Sequence, residues 1–349
     1  MSFTVMITGG GGFVAHHTLV HLLKNTDWNF VATDSFSHAG ISARLRAVYE
    51  ELPEARHRVK VVIHDLTTPI DRLTAKEFGN INAIINMASQ SHVDRSISDP
   101  RPFIENNVAL ALTMFDYART LDNLESFIQI STDEVYGPAK PGVFHSEWEV
   151  LVPSNAYSAS KMCQEGIATA YWRSYDLPMI ITNTMNIFGE RQNSEKFIPK
   201  AIGHLIKGIP VPIHAKKVNK KWDAGSRYYL HARNQADALK FILENIGNTP
   251  HRYSNGLARP HKFNIIGEVE ISNDQLVTMI AEVLGIKSRE ILEYTDVENI
   301  RPGHDLRYAL EGSKLRKLGW KQPVTFKDSL SKTVIWSKEH PEWLEDSYY

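Results

Sequence analysis

The sequence has little that would point to an oxidising compartment, a metal site or a strongly charged partner. Its single cysteine, Cys163, excludes an internal disulfide, and a reducing cytosol is the compartment we expect. Neither CxxC nor HExxH spacing occurs, so no metal site is predicted. The 39 Lys and Arg residues balance 40 Asp and Glu residues, so no global field attracts nucleic acid or an anionic membrane.

Long hydrophobic runs are also absent from the sequence. No apolar stretch approaches the roughly 18 residues of a membrane span, and the start MSFTVMITGG is strand-like without a basic leader. We therefore expect a soluble, unprocessed, cytoplasmic protein. With 349 residues, 42% of them hydrophobic, the chain can form two domains or one large α/β unit with an appended lobe.

The first half of the chain alternates short β-rich runs with helical patterns. Stretches such as HHTLVHLLKN (16–25) and residues 103–121 carry apolar residues at helical spacing. This alternation predicts an α/β fold with a doubly wound parallel sheet. The β-rich runs are FTVMI (3–7), NFVAT (29–33), VKVVI (59–63), NAIINM (82–87), SFIQIS (126–131) and PMIITN (178–183).

A glycine-rich turn follows the first predicted strand. In TGGGGFVAHH, Gly9, Gly12 and Ala15 occupy the three positions of G-x-x-G-x-x-G/A. Glycine lets the backbone turn tightly and approach a pyrophosphate, and the next helix offers N–H donors at its start. Glycine clusters also form ordinary loops, but the strand–turn–helix context favours a dinucleotide site.

Two acidic residues follow the next two predicted strands. Asp34 ends the second strand, where a carboxylate can bind the adenosine ribose hydroxyls and repel the 2′-phosphate of NADP, so NAD is expected. A turn or cap role for Asp34 ranks second. Asp65 follows the third strand, where it could reach the adenine edge or cap a turn, and both readings stay open.

A pair of adjacent acids follows the fifth predicted strand in STDEVYG (131–137). Ser131 and Glu134 fit the S-x-x-E capping box of a helix start, which is a common match. Asp133 and Glu134 also suit a general acid and a general base at the edge where parallel sheets bind ligands. Consecutive strand residues face opposite sides, so both acids reach one site only if the strand ends at Thr132 or Asp133.

A tyrosine and a lysine lie one helical turn apart in NAYSASKMCQE (155–165). The i, i+4 spacing places Tyr157 and Lys161 on one helix face. A nearby ammonium group stabilises a phenolate, so Lys161 is expected to lower the pKa of Tyr157. A surface Tyr–Lys pair on an amphipathic helix would show the same spacing, so the motif alone weighs little.

Together, the glycine turn, the Ser/Thr after a strand and YxxxK resemble the extended short-chain dehydrogenase/reductase family. The closer resemblance is to the nucleotide-sugar 4,6-dehydratases of the dTDP-glucose 4,6-dehydratase type, and it covers most of the chain. Besides STDEVYG it rests on DSFSHAG (34–40), ASQSHVDRSI (88–97), PSNAYSASK (153–161), NIFGERQNSEKFIP (186–199), SRYYLHARNQADAL (226–239) and RPGHDLRYAL (301–310).

The resemblance implies a Rossmann-type sheet with a smaller C-terminal substrate-binding lobe. We expect residues 1–185 to form the NAD-binding domain, with a return strand near 232–267, and residues 186–349 to form the nucleotide-sugar-binding lobe. A homodimer through the helices near 103–121 and 157–175, as a four-helix interface, is also implied.

The implied reaction converts an NDP-glucose type substrate to the NDP-4-keto-6-deoxy sugar. Tyr157 would remove the C4 hydroxyl proton while the C4 hydride passes to NAD. Thr132 would bind the same oxygen, and Lys161 would hold the nicotinamide ribose. Glu134 would abstract the C5 proton and Asp133 would protonate the departing C6 hydroxyl, before the hydride returns to C6 and regenerates the tightly held cofactor.

The resemblance also assigns binding residues, although a solvated side chain is the ordinary role of any single surface Arg or Lys. The expected NAD contacts are Gly9, Gly12, Phe13, Val14, Asp34, Asp65, Leu66, Ala88, Tyr157 and Lys161. The expected substrate contacts are Ser91, Asn186, Glu195, Lys196, Arg227, Asn264, Arg301 and His304. The two arginines would clamp the diphosphate, and His304 could instead brace its own loop.

Two other functions stay open at this point. A nucleotide-sugar 4-epimerase or a UDP-glucuronate decarboxylase shares Tyr157 and Lys161 but needs no acid pair, and relatives commonly carry a small residue in place of Asp133. A non-catalytic dinucleotide-binding regulator is disfavoured, because the complete set of catalytic residue types is present. The sequence leaves the nucleobase and the hexose configuration open.

Overall fold

A computed structural model of the chain describes residues 3–37, 40–218, 221–246, 253–254, 257–287, 290–296 and 307–345. The strands are β1 Thr4–Thr8, β2 Asn29–Asp34, β3 Val59–Ile63, β4 Ala83–Asn86, β5 Ser126–Thr132, β6 Met179–Thr184, β7 Ile187–Phe188, β8 Val211–Val218, β9 Lys221–Asp223, β10 Ser226–Tyr228, β11 Leu230–His231, β12 Tyr253–Ser254, β13 Leu257–Ala258, β14 His261–Ile265, β15 Glu270–Ser272 and β16 Leu292–Asp296.

The helices lie mainly between the strands of the first half. They are α1 Phe13–Asn25, α2 Ser42–Glu51, α3 Arg72–Phe78, α4 Val93–Ser98, α5 Pro100–Ala118, α6 Ala156–Tyr175, α7 Phe197–Ile206, α8 Ala232–Asn245, α9 Asn273–Leu284, α10 Ser313–Lys317 and α11 Phe326–Glu339, with 3-10 turns at Pro53–Arg58, Asp133–Tyr136 and Pro341–Leu344. No helix within the described ranges is both long enough and apolar enough to cross a membrane.

One parallel sheet organises the larger part of the molecule. Within the described residues it has seven strands in the order β14-β6-β5-β4-β1-β2-β3, and every neighbouring pair is parallel. The predicted α/β fold and the six predicted strands are confirmed. The chain order reverses between β1 and β4, and the carboxyl ends of β1, β4 and β5 meet at one edge, where such sheets bind ligands.

Alternating side chains of the strands point into two separate hydrophobic cores, one on each face of the sheet. Val5 and Ile7 of β1 pack with Leu19 of α1 and Leu239 of α8. Met6 faces the other side, in the core that contains residues of α5 and α6. Because both faces are covered by helices, the middle of β1, Val5–Ile7, is a continuous buried apolar run rather than an alternation of apolar and polar residues.

The second half adds smaller sheets beside the main one. Strand β8 pairs with β9 and β16, β10 pairs with β15, and β7 pairs with β11. A further core, with Ile202, Ile213, Ile280 and Val334, joins α7, β8, α9 and α11. Strand β14, late in the chain, pairs with β6 at the edge of the main sheet. The boundary near residue 186 stays a prediction.

Candidate active site

The acidic pair lies where strand β5 ends. The strand ends at Thr132, and the 3-10 turn Asp133–Tyr136 begins at the next residue. The Thr132 hydroxyl accepts the backbone N–H of Glu134 at 3.4 Å and so caps the turn. The condition for both acids to reach one site, that strand alternation stops at Thr132 or Asp133, is therefore met.

Of the two readings of STDEVYG, the capping box between Ser131 and Glu134 is not formed. The Ser131 hydroxyl donates to Oε1 of Glu165 on helix α6 at 2.5 Å. Ser131 is buried within β5, so its hydroxyl needs a partner in the interior, and Glu165 provides one. The residue that caps the turn is Thr132, and no capping box accounts for the acid at position 134.

Asp133 is buried, with 4% of its surface exposed. Its Oδ1 accepts a hydrogen bond from the Thr132 hydroxyl at 3.0 Å, while Oδ2 has no partner among the described residues. Burial and the neighbouring Glu134 carboxylate raise the pKa of Asp133 to about 7, and the charge of Arg227 opposes this shift. A substantial fraction of Asp133 therefore carries a proton near neutral pH.

Helix α6 brings the tyrosine and the lysine to the same edge of the sheet. Its N-cap is Asn155, which forms a capping box with Ser158. The same Asn155 donates from Nδ2 to Oε2 of Glu134 at 2.9 Å, so the helix start is tied to the acidic turn. The sequence analysis missed this role, although an Asn before a predicted helix is a recognised N-cap signal.

Tyr157 lies two residues inside this helix and next to the acid pair. Burial, Glu134 and Asp133 raise the pKa of Tyr157, while a hydrogen bond with the Thr132 hydroxyl lowers it. The expected lowering of the Tyr157 pKa by Lys161 is wrong for this structure. Burial and two nearby carboxylates raise this pKa, and the ammonium group of Lys161 binds the Ile130 carbonyl and Gln164 instead.

Lys161 is buried, with 2% of its surface exposed. Its Nζ donates to the carbonyl of Ile130 at 3.1 Å and to Oε1 of Gln164 at 3.1 Å. Burial lowers the pKa of Lys161 to about 7, and Glu165 opposes that shift. The protonation state of Lys161 near neutral pH is therefore sensitive to its surroundings. The carboxylate of Glu165, one helical turn further along, favours the charged form.

The glycine turn has a backbone that side chains would obstruct. Gly9 has a φ of 70°, and a Cβ there would lie 3.1 Å from Cα of Ala88. Gly12 is the N-cap of α1, its N–H donates to the carbonyl of Gly9 at 2.8 Å, and a Cβ there would meet that oxygen. Phe13 and Val14 open the helix, so their N–H groups face the turn.

Asp34 is bound to the glycine turn. Its Oδ2 accepts the N–H of Gly11 at 2.9 Å, and its Oδ1 accepts the N–H of Phe36 at 2.8 Å. A surface cleft of about 390 Å³ adjoins it, lined by Phe36, Gly40, Ile41, Ser42 and Ala43. A carboxylate between the glycine turn and an open cleft suits a dinucleotide whose ribose lies beside its pyrophosphate.

The remaining predicted cofactor contacts differ in environment. Oδ1 of the exposed Asp65 accepts the N–H and the hydroxyl of Thr67 at 2.9 and 2.8 Å, so the turn-capping reading describes its geometry. Leu66 is buried in the core that contains α5, and only its backbone is available for a ligand. Ala88 faces Gly9 across the turn.

A cluster of charged residues lies beside Glu134 on the substrate side. Lys196 donates to the carbonyl of the exposed Ser91 at 3.4 Å. Burial lowers the pKa of Lys196, while Glu195, Glu134 and Asp94 raise it, so the ammonium group lies within electrostatic reach of the acid pair. The segment after β4 and the segment before α7 thus come together here.

The carboxylate of Glu195 is bound within the same cluster. His92 and Arg95 contact its Oε2 at 3.3 and 3.2 Å. The hydrogen bond from His92 is the main cause that lowers the pKa of Glu195. Glu195 therefore already has two side-chain partners, and its side chain joins two loops.

Three further predicted substrate contacts have distinct surroundings. Arg227 on β10 is buried, with its guanidinium 4.8 Å from the ring centre of Tyr308, and its charge acts on Asp133. Asn186 is exposed between β6 and β7. Asn264 on β14 is buried, and its Nδ2 donates to the carbonyls at positions 145 and 311 at 3.0 and 3.1 Å. Arg301 and His304 lie outside the described residues.

A buried arginine that the sequence analysis missed connects the glycine turn to the segment before α7. Arg44 donates to the carbonyl of Gly11 at 3.3 Å, to the carbonyl of Arg191 at 2.9 Å and to Oδ1 of Asn193 at 2.8 Å. No sequence signal distinguishes it from a solvated helix residue. Among the described residues, no group of His, Cys, Asp and Glu side chains could hold a metal ion.

Comparison with known proteins places this arrangement in a family. Residues 6–333 match the GDP-mannose 4,6 dehydratase family. The low-salt glycan biosynthesis protein Agl12 of Haloferax volcanii is 36% identical, with 95% of this chain and 97% of Agl12 covered. The trifunctional UDP-glucose 4,6-dehydratase/UDP-4-keto-6-deoxy-D-glucose 3,5-epimerase/UDP-4-keto-L-rhamnose-reductase RHM3 of Arabidopsis thaliana is 32% identical over 98% of this chain, which spans 48% of that relative's length.

A solved structure agrees in sequence and in fold. DesIV of Streptomyces venezuelae, a dTDP-glucose 4,6-dehydratase with NAD bound, is 30% identical, with a TM-score of 0.83 and coverage of 98% of this chain and 99% of DesIV. The chain therefore belongs to the extended short-chain dehydrogenases/reductases, in the family of NAD-dependent nucleotide-sugar 4,6-dehydratases.

Proposed function

We propose that the protein dehydrates a nucleotide-activated hexose to the NDP-4-keto-6-deoxy sugar with tightly bound NAD. The observation that carries the proposal is the buried Asp133 beside Glu134, next to Tyr157. An epimerase or a decarboxylase needs only oxidation at C4. A proton donor and a carboxylate base held together at the same edge suit the elimination of water.

Asp133 is the proposed acid for the departing C6 hydroxyl. Its pKa of about 7 allows a proton near neutral pH, and Oδ2 has no partner among the described residues, so it is available to a substrate oxygen. Glu134 is the proposed base for the C5 proton. The hydrogen bond from Asn155 to Oε2 orients the Glu134 carboxylate at the edge of the sheet.

Tyr157 is the proposed base for the C4 hydroxyl, with Thr132 as its hydrogen-bonding partner. NAD, when bound, accepts the C4 hydride and returns it to C6, and its cationic ring favours a phenolate nearby. Lys161 is the proposed contact of the nicotinamide ribose, where its ammonium group would also favour the phenolate. Oxidation at C4 then acidifies the C5 proton that Glu134 removes.

The glycine turn fits NAD, and Gly9, Gly12, Phe13, Val14 and Asp34 are the proposed contacts. A Cβ at Gly9 or Gly12 would fill space that a close backbone approach to the pyrophosphate needs. The Asp34 carboxylate beside that turn would repel the 2′-phosphate of NADP. Leu66 is proposed to contact NAD through its backbone. Ala88 is proposed to contact NAD because it lies beside Gly9.

The proposed substrate side combines two cations that face the acid pair. Lys196 acts electrostatically on Glu134 and Arg227 on Asp133, so a diphosphate bound to them would place the hexose beside both acids. Ser91, Asn186 and Glu195 are proposed to line the same site. Asn264 is proposed to act through the backbone carbonyls it binds.

The test is incubation of the purified protein with dTDP-, UDP-, GDP- and CDP-glucose, followed by detection of the 4-keto product by its alkaline ultraviolet absorbance. We expect turnover with one of the four, and none with Tyr157→Phe. Mass spectrometry should show loss of one water from the sugar. An epimerised hexose that keeps its C6 oxygen would contradict the proposal and favour the epimerase.

A further inference from the structure

A buried ion pair lies behind the acidic turn, and the sequence gives no sign of it. Nζ of Lys262 on β14 contacts Oε2 of Glu165 on α6 at 2.6 Å. The side chains are only 1% and 4% exposed. The two residues are 97 positions apart, and the pair connects the edge strand of the main sheet to the helix that carries Tyr157.

The other oxygen of this carboxylate binds the end of β5. Oε1 of Glu165 accepts from the Ser131 hydroxyl at 2.5 Å and from Nδ2 of Asn183 at 2.7 Å. The same Asn183 amide donates to the carbonyl of Thr132 at 3.0 Å. Each oxygen of Glu165 therefore has a fixed partner, and the last two residues of the strand are bound to it directly or through Asn183.

Lys262 is held in place by aromatic rings as well. Its Nζ lies 4.8 Å from the ring centre of Tyr136 and 5.2 Å from that of Trp148. Tyr136 belongs to the 3-10 turn that carries the acid pair, and its hydroxyl donates to the carbonyl of Glu147 at 2.9 Å. Lys262 therefore packs against the acidic turn, through Tyr136, and against the segment that follows the turn, through Trp148.

Glu165 also lies one helical turn after Lys161. Lys161 is faced by the Ile130 carbonyl from β5 and by Gln164 from its own helix, and Gln164 in turn binds Gln129 and the carbonyl of Asn107 on α5. Glu165 is the charged group that acts on Lys161 among the described residues, and it raises the pKa that burial lowers. The nearby acids Asp133 and Glu134 act on Tyr157 instead.

We propose that Glu165 and Lys262 are positioning residues of the active site, which fix the end of β5 and hold a carboxylate one helical turn after Lys161. The proposal rests on the proposed function for its kinetic consequence only. A buried ion pair is by itself weak evidence for stability, because desolvation offsets the attraction between its charges. Its placement between the catalytic turn and Lys161 gives it a role beyond stability.

The main test uses the double variant Glu165→Gln/Lys262→Met, which removes both charges and leaves neither buried alone. The introduced amide oxygen can still accept from Ser131 and Asn183. Lys240→Met is the control, since it breaks an ion pair of similar length, 2.7 Å to Glu244, on the outer surface of α8. Thermal unfolding establishes that each variant folds.

The first readout is the affinity for NAD as a function of pH, by titration calorimetry. Without the Glu165 carboxylate, Lys161 loses its proton at lower pH, so the alkaline fall in affinity should move down by about one pH unit. Lys161→Met should abolish the alkaline fall in NAD affinity, which would identify Lys161 as the group that titrates. Lys240→Met should keep the wild-type profile.

The second readout is kcat against pH with the nucleotide-sugar that the wild type turns over. The alkaline limb should move in the same direction, which is a loss of about tenfold at a fixed pH on that limb. A purely structural role would lower kcat equally at every pH. A folded double variant with both limbs at the wild-type position would overturn the proposal.

The two proposals fail in different ways. If the wild type turns over no nucleotide-sugar, the proposed function fails, and the calorimetric profile still decides the role of Glu165. If the double variant does not fold, Glu165→Gln/Lys262→Gln provides the same comparison, because it also removes both charges and offers a polar side chain in place of Lys262. An unchanged limb in that folded variant would equally overturn the proposal.

Discussion

Nδ2 of Asn155 donates a hydrogen bond to Oε2 of Glu134 at 2.9 Å, so the N-cap of the helix that carries Tyr157 also orients the proposed C5 base. One side chain therefore has two separable tasks. Its Oδ1 caps the helix by accepting from Ser158, and its Nδ2 binds the carboxylate.

Substitution of Asn155 should separate these tasks. Asn155→Ser keeps a capping oxygen and loses the amide donor, so the melting temperature should stay near wild type while turnover falls. Asn155→Ala loses both, and should also lower the free energy of unfolding by about 1 kcal/mol. Thermal unfolding and turnover measured on both variants check this. Equal turnover in Asn155→Ser and wild type would show that Glu134 needs no such orientation.

Substitutions of the two acids should impair different steps of the reaction. Glu134→Gln should block incorporation of solvent deuterium at C5, because the amide cannot accept the C5 proton. Asp133→Asn should leave C5 exchange in place and slow the loss of water, by roughly 10²-fold or more for a lost general acid. Mass spectrometry of substrate and product in D2O measures both. Exchange that persists in Glu134→Gln would contradict the assignment.

The raised pKa of Asp133 predicts a pH-dependent cost to stability. The pKa of Asp133 in the folded protein is about 7, against an ordinary value of 3.8, so the folded state binds the extra proton and stability falls as pH rises through this window. Asp133→Asn should therefore stabilise the fold above pH 7, by at most about 4 kcal/mol, and change little below the unfolded pKa.

Denaturant unfolding of the wild type and Asp133→Asn across this pH range measures the effect. Asp122→Asn is a control, because that residue is exposed on the turn after α5. A stability difference between wild type and Asp133→Asn that is the same at every pH would show that the carboxyl titrates normally in the folded protein.

Two glycines with nearly the same backbone angle offer a matched test of the cofactor site. Gly9 and Gly79 have φ angles of 70° and 73°, but only Gly9 would place a Cβ against Ala88, while Gly79 has open space. Both alanine variants bear the cost of a positive φ, about 1–3 kcal/mol. Gly9→Ala should in addition weaken NAD binding, by about tenfold or more (~1.4 kcal/mol). Calorimetry should show wild-type affinity in Gly79→Ala.

The proposed homodimer through α5 and α6 has a simple test. Leu112 on α5 is an exposed apolar residue, at 37%, on one of the helices expected to form the interface. Leu112→Arg should convert a dimer to a monomer in analytical ultracentrifugation. Leu73→Arg, at a more exposed apolar position on α3, should leave the mass unchanged. A wild type that sediments as a monomer would contradict the proposal.

The alternation of strands and helices could be predicted because the central strands contain short apolar runs buried on both faces, as in Ala83–Ile85. The end of β5 at Thr132 could be stated only as a condition. The capping box at Ser131 is not formed because a partner 34 residues away, Glu165, takes its hydroxyl. A four-residue sequence pattern gives no information about a hydrogen-bond partner that lies so far along the chain.

The pKa shifts and the buried ion pair of the site could not be predicted from the sequence. The i, i+4 spacing of Tyr157 and Lys161 put both residues on one helix correctly, yet the direction of the Tyr157 pKa depends on burial and on carboxylates from another element. The partner of Glu165 comes from β14, which joins the sheet only through tertiary pairing. Propensity and spacing describe neighbours along the chain, and these interactions are between distant segments.

The pairing of β14 with β6 also constrains how the protein can be made. During synthesis, the edge of β6 stays open until the chain has grown past residue 265, and an open strand edge invites pairing with other chains. Until then Glu165 also lacks Lys262 beside it. The active centre, although built mostly from the first half of the chain, is thus completed only by a late segment, and a fragment that stops before β14 should aggregate rather than fold.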